Sequence, residues 1–159
     1  MAPYASFYPH GPLSNPAAGQ PDQLTIEYRP DDHLIAVRWV GTCSFERLRE
    51  VYQRVGAMLV RTEAHRVLLD TREREIIGEE AARWVATDAY ATLLEGRTTP
   101  LHLAYVVPDA VFEAFGGGPL ETLGDLLRLG VFTSPGAATA WLLLSWCPLE
   151  RPSLKPTRK

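Results

Sequence analysis

Apolar and polar residues change their period several times along this chain, and each change marks an element. From Leu24 they alternate, Leu24-Thr25-Ile26-Glu27-Tyr28-Arg29, and after Pro30-Asp31-Asp32-His33 a second run follows, Leu34-Ile35-Ala36-Val37-Arg38-Trp39-Val40. Two such runs joined by a turn of Pro and Asp residues predict a β-hairpin. Ser44 then caps a stretch in which Phe45, Leu48, Tyr52, Val55 and Leu59 recur at spacings of three and four. Glu46, Arg47, Arg49, Glu50 and Arg54 occupy its other faces, so the expectation is an amphipathic helix of about four turns.

The most abrupt change is Arg66-Val67-Leu68-Leu69-Asp70-Thr71-Arg72-Glu73, where three apolar residues break into charge. It reads as a buried strand, Val67 to Asp70, whose carboxyl end opens into a charged loop from Asp70 to Glu75. Glu79 to Leu94 predicts a second helix with Ala82, Val85, Ala89 and Leu93 on one face, stopped at Gly96. Leu101 to Val107 is the next strand, ended by Pro108. A third helix is expected over Leu120 to Leu129, after Gly116-Gly117-Gly118-Pro119, because Pro119 suits a first helical turn. Val131-Phe132-Thr133 predicts a short strand, and Ser134-Pro135 starts a last helix carrying Ala138, Trp141, Leu142 and Trp146 up to Pro148. Strand-helix-strand units with right-handed crossovers then give an α/β fold. The expectation is a mixed sheet of four to five strands that opens with an antiparallel hairpin and packs against about four helices.

Composition adds limits. The 159 residues suffice for one domain with a core, and 46% hydrophobic with 22% charged residues is ordinary for a globular chain. Residues 1–22, rich in Pro, Gly, Ala and Ser, read as a flexible arm, although Tyr4, Phe7 and Tyr8 give it groups that can dock. The domain then spans 23–148, and 149–159, basic at its end through Lys155, Arg158 and Lys159, reads as a solvated tail. Sixteen basic against nineteen acidic side chains leave a net charge of −3, which argues against nucleic acid as a partner. The apolar run Ala140 to Leu144 is far short of the roughly 20 residues of a membrane span. Neither a basic start nor an apolar signal core opens the sequence, so a cytoplasmic location is expected. Cys43 and Cys147 have no Cys-x-x-Cys spacing, which agrees with a reducing setting.

The hairpin, the VLLD strand, the LHLAYVV strand and the VFTSPGAATAWL ending together resemble the STAS-like family of the sporulation anti-sigma-factor antagonist type, over roughly Leu24 to Leu144. Val131-Phe132-Thr133 followed by Ala137 to Leu142 is closest to an unassigned bacterial STAS-like subgroup. That resemblance implies a regulatory, non-enzymatic module that binds protein partners or its own copy. It also implies an Asp-Ser-Ser-Gly-like motif at the helix start after the VLLD-type strand, whose phosphorylated Ser switches partner binding. Arg74 to Glu80 here contains no Ser or Thr, Thr71 comes too early, and Glu79 and Glu80 repel an added phosphate, so the switch is not expected.

Asp70, Thr71, Arg72, Glu73 and Arg74 form the expected partner surface, with alternating charges that mostly compensate one another. Asp70, last in an apolar strand, is expected to anchor the following loop through its carboxylate. No catalytic, cofactor or metal-binding residues are assigned: His10, His33, His65 and His102 lack metal-motif spacing, and Cys43 has no base beside it in sequence. Gly116-Gly117-Gly118 lacks the Gly-Lys-Ser/Thr of a phosphate loop. The apolar groups around it, Phe112, Phe115, Leu120, Leu123, Leu126, Leu127 and Leu129, support a second reading, a small-molecule or lipid-binding protein with an apolar pocket.

Overall fold

Alternation works as expected at the start of the domain: strands β1 (Gln23–Arg29) and β2 (Leu34–Val40) pair antiparallel along their whole length, from Gln23 opposite Val40 to Arg29 opposite Leu34. Pro30–Asp32 forms a single 3₁₀ turn between them, closed by His33 in the left-handed region at φ 50°. The structure is a computed structural model of the full chain and describes residues 21–114, 118–119 and 124–144. Most of the expected N-terminal arm with its three aromatics, the C-terminal tail, and Trp146, Cys147, Phe115, Leu120 and Leu123 lie outside the described residues.

Helix α1 (Phe45–Thr62) begins where Ser44 Oγ accepts the Arg47 N–H at 3.1 Å, and it buries Leu48, Val51, Tyr52, Val55, Gly56 and Leu59. Strand β3 (Arg66–Asp70) follows, then α2 (Glu79–Trp84), a π turn (Val85–Ala89) and α3 (Tyr90–Leu94), which together make the one helical run expected from Glu79 to Leu94. After β4 (Leu101–Val106) come a short helix α4 (Asp109–Ala114), the two-residue strand β5 (Gly118–Pro119), strand β6 (Leu127–Phe132) and helix α5 (Pro135–Leu144). The sheet runs β1-β2-β3-β4-β6-β5, parallel from β2 through β6 and antiparallel at both edges.

Two expectations fail in the segment before α5. Leu127 to Leu129 is strand, not the end of a helix, and Pro119 sits in an edge strand, not in a first helical turn. Leu-rich sequence favours helix on propensity alone, but here a period of two wins: Leu127, Leu129 and Val131 enter the core, while Arg128, Gly130 and Phe132 face the other way. The expected strand Val131–Thr133 overlaps β6 only at its last two residues, Val131 and Phe132, with Thr133 beyond its end, and the sequence reading does not contain α4.

The two faces of the sheet are unequally covered. On one, Ile35, Val37, Trp39, Val67, Leu69, Leu101, Leu103 and Tyr105 pack with the buried residues of α1, α2 and α3 into the main core. On the other, Leu34, Leu68, Ala104 and Val106 meet α5 through Ala138 and Leu142, with Phe132 and Trp141 half-buried beside them. Helix α5 covers β3, β4, β6 and the amino end of β2 at Leu34, so the flank formed by β1 and the rest of β2 stays uncovered among the described residues. There Gln23, Thr25, Glu27 and Arg38 are exposed.

Candidate functional site

The carboxyl ends of the parallel strands bring together the loop that sequence reading singles out. Its backbone forms a clasp. Thr71 donates both its N–H (2.9 Å) and its Oγ1 hydroxyl (3.2 Å) to Val106 O, fastening β3 to β4. On the other side, Gly41 donates to Glu73 O at 2.9 Å and accepts from Glu75 N–H at 2.8 Å, so β2 and the loop resume parallel pairing after β3 has ended.

Side chains in the loop meet partners on the same scaffold. Asp70, 8% exposed, accepts from the Arg72 N–H at 3.2 Å and, in a two-pronged ion pair, from Arg72 Nε at 3.0 Å and Nη2 at 2.8 Å. This matches the anchoring role expected of a strand-end aspartate. Arg38 Nη2 donates to Glu73 Oε2 at 2.7 Å on the open flank, with both side chains more than half exposed, a setting in which solvent screens the pair and it contributes little to stability. Arg74 is buried and lies over the Trp39 ring, 5.1 Å from its centroid. Glu75 Oε2 accepts the Cys43 N–H at 2.9 Å just ahead of α1. Hydrogen bonds raise the affinity of the Arg38 and Arg72 guanidiniums for their protons, from Glu73 and Asp70 respectively, so both remain charged.

The expected partner surface therefore divides. Asp70, Thr71 and Arg74 are buried, while Arg72 is half-exposed and Glu73 exposed beside Arg38. Replacing Asp70 with Ala removes the acceptor for one amide and one guanidinium at a nearly buried site. The expected loss is about 1–2 kcal/mol in urea unfolding, whereas Glu73→Ala on the exposed pair shifts the midpoint little.

Topology also limits what this mouth can hold. In open α/β sheets ligands settle where the strand order reverses, because helices on opposite faces diverge there and leave a crevice. Strands β2, β3, β4 and β6 step in one direction, and the connecting helices α1, α2 and α3 share one face of the sheet. No reversal crevice exists among these strands.

Cys43 is half-buried at the start of α1, and burial pushes its thiol acidity down, raising the pKa, more than the nearby Arg74 lowers it. Its thiol stays protonated at neutral pH. His102 lies in β4 on the α5 side, buried, its ring 5.9 Å from the Trp141 ring. Burial, with the charges of Arg128, Arg66 and Arg97, lowers its pKa to about 4. Because the unfolded imidazole titrates near 6.5, the unfolded chain binds more protons between about pH 4 and 6.5, and stability falls as pH falls through that window. The loss attributable to His102 is about 1–3 kcal/mol. Urea titrations at several pH values should show a shallower slope in this window for His102→Phe than for the native chain.

Two features were not legible beforehand. The hydroxyls of Tyr52 and Tyr90 both meet that of Tyr105, at 2.7 and 2.9 Å, joining α1 and α3 to β4 inside the core directly after the π turn. Partners 53 and 15 residues apart carry no local signal. The second is a depression of about 390 Å³ where α1 ends beside α3, floored by Leu59 and Leu93 and rimmed by Glu63, Glu95 and Arg97. Arg97 is already engaged there with the carbonyl of Ala64 at 3.2 Å. No metal-holding group of three or more His, Cys, Asp or Glu side chains occurs among the described residues, and no described helix is long and apolar enough to cross a membrane.

Compared with known proteins, the chain matches no family model, and no curated protein matches it significantly.

Proposed function

We propose that this chain is a non-enzymatic, cytoplasmic protein-interaction module of the STAS-like kind, regulatory in role, which engages a protein partner or its own copy through the uncovered β1–β2 flank. One observation carries the reading. Asp70, Thr71 and Arg74 at the strand mouth are buried, whereas the flank beside them presents Thr25, Glu27 and the Arg38–Glu73 ion pair to solvent with no described helix above them. A surface of mixed charge on a rigid sheet suits protein recognition, where complementary charges set orientation. The element order, with its opening hairpin and closing α5, supports the STAS-like part of the proposal.

The small-molecule or lipid reading has less behind it. Leu127 and Leu129, two of the apolar groups meant to line a pocket, are 1% exposed within the sheet core, and Phe112 packs against the same core.

The test is retention on the immobilised full-length chain, native against Arg38→Glu, alongside light scattering of both. Retention of a protein, a second copy included, that Arg38→Glu weakens supports the reading. A strict monomer that retains no protein overturns it.

A further inference from the structure

The two edges of the sheet are built differently. Edge strand β5 has two residues, and Pro119 has no amide to offer a neighbour. Edge strand β1 has seven, with continuous register against β2, no Pro and no bulge, so Glu27 and Arg29 are its only charges against pairing and the other devices that usually blunt an edge are missing from the strand. No described strand lies beyond it. Its core-side residues, Leu24, Ile26 and Tyr28, are only half-buried, and they pack against the main core with their outer sides open.

Resting on the binding-module reading above, we propose that β1 pairs antiparallel with β1 of a second copy about a two-fold axis at Ile26, making one continuous sheet through both copies. Charge and periodicity select this register. A two-fold axis perpendicular to the sheet keeps each face on its own side, so it must pass through a residue position and not between two. Centred on Glu27, it sets two carboxylates directly opposite each other. Centred on Thr25, it pushes Arg29 beyond the strand, opposite the partner's Pro21. Centred on Ile26, all seven residues pair: Leu24 with the partner's Tyr28, Ile26 with the partner's Ile26, Gln23 with the partner's Arg29, and Thr25 with the partner's Glu27. No like charges oppose, and the half-buried apolar residues of the two copies extend one another's core. Aromatic and β-branched cross-strand pairs of this sort are the stabilising unit of an antiparallel ladder.

Gln23 provides the test. It is exposed and lies opposite Val40 in its own chain, so a charge placed there has no directly opposed charge within the monomer. Sedimentation equilibrium of the full chain should find a dimer. Gln23→Glu, which sets a carboxylate opposite the partner's Arg29 at both ends of the ladder, should tighten its dissociation constant roughly 2- to 30-fold, and Gln23→Lys should weaken it by a similar factor. The double variant Thr25→Cys with Glu27→Cys should form a covalent dimer on mild oxidation, above the background that Cys43 and Cys147 give in the native chain and above either single variant, because this register sets position 25 opposite the partner's 27 whereas registers centred on 25 or 27 would set a single cysteine opposite itself. A dimer indifferent to both Gln23 changes and without the cross-link overturns the proposal while leaving the binding-module reading in place. A native chain that remains monomeric at every concentration also overturns it, and retention by the native chain against Arg38→Glu then decides the broader reading separately.

Discussion

Gly41→Ala should lose about 4 kcal/mol of stability, measured by urea unfolding. Gly41 has φ +95°, a conformation that side-chain-bearing residues rarely adopt. A Cβ placed there would lie 2.1 Å from Pro21 O and 2.9 Å from Asp22 Cα, both backbone atoms that cannot swing aside. The same residue exchanges hydrogen bonds with Glu73 and Glu75, so relieving the clash by moving Gly41 would release the clasp that joins the β2 exit to the loop after β3. Gly136, by contrast, has nothing within 4 Å of an added Cβ, and Gly136→Ala is expected to change stability little. The pair separates a steric requirement at one glycine from a general cost of losing glycine.

Trp39→Ala should cost about 3–5 kcal/mol, through lost burial and the cavity left behind. Trp39 is 1% exposed on the core side of β2, and the indole also supports the buried Arg74 guanidinium 5.1 Å from its centroid. Its Nε1 has no hydrogen-bond partner among the described residues. That detail sets the expectation for the conservative change: Trp39→Phe keeps an aromatic face for Arg74 and removes an unsatisfied donor, so it should cost only about 1–2 kcal/mol despite the smaller ring. A large loss in Trp39→Phe would mean that the indole N–H is engaged after all.

The elements that could be read from sequence are those whose signal is local. The hairpin and α1 follow from period and caps, and the start of α5 follows from Ser134, whose Oγ accepts the Ala137 N–H at 3.2 Å. Strand β6 was hidden because Leu127-Arg128-Leu129 adjoins a leucine-rich run, and its extended state comes from parallel pairing with β4, some 26 residues earlier at Leu101 opposite Leu127. Within the candidate site the same division holds. The Asp70–Arg72 pair spans two residues and was within reach of sequence reasoning, down to the anchoring role of Asp70. The burial of Arg74 was not, since it depends on the register that brings Trp39 of β2 beside a loop more than thirty residues later. Alternating charge described the loop correctly as self-compensating, but only the sheet decided which charges faced outward.

Hydrogen exchange of the full chain over a dilution series tests the central claim most directly, that this protein acts through its β1 flank and not through the strand mouth. The account predicts that amides in Gln23–Arg29 gain protection as concentration rises, while those in the loop from Asp70 to Glu75, already fastened to Gly41 and Val106, do not change. Concentration-dependent protection confined to that loop, with β1 indifferent throughout, would contradict it.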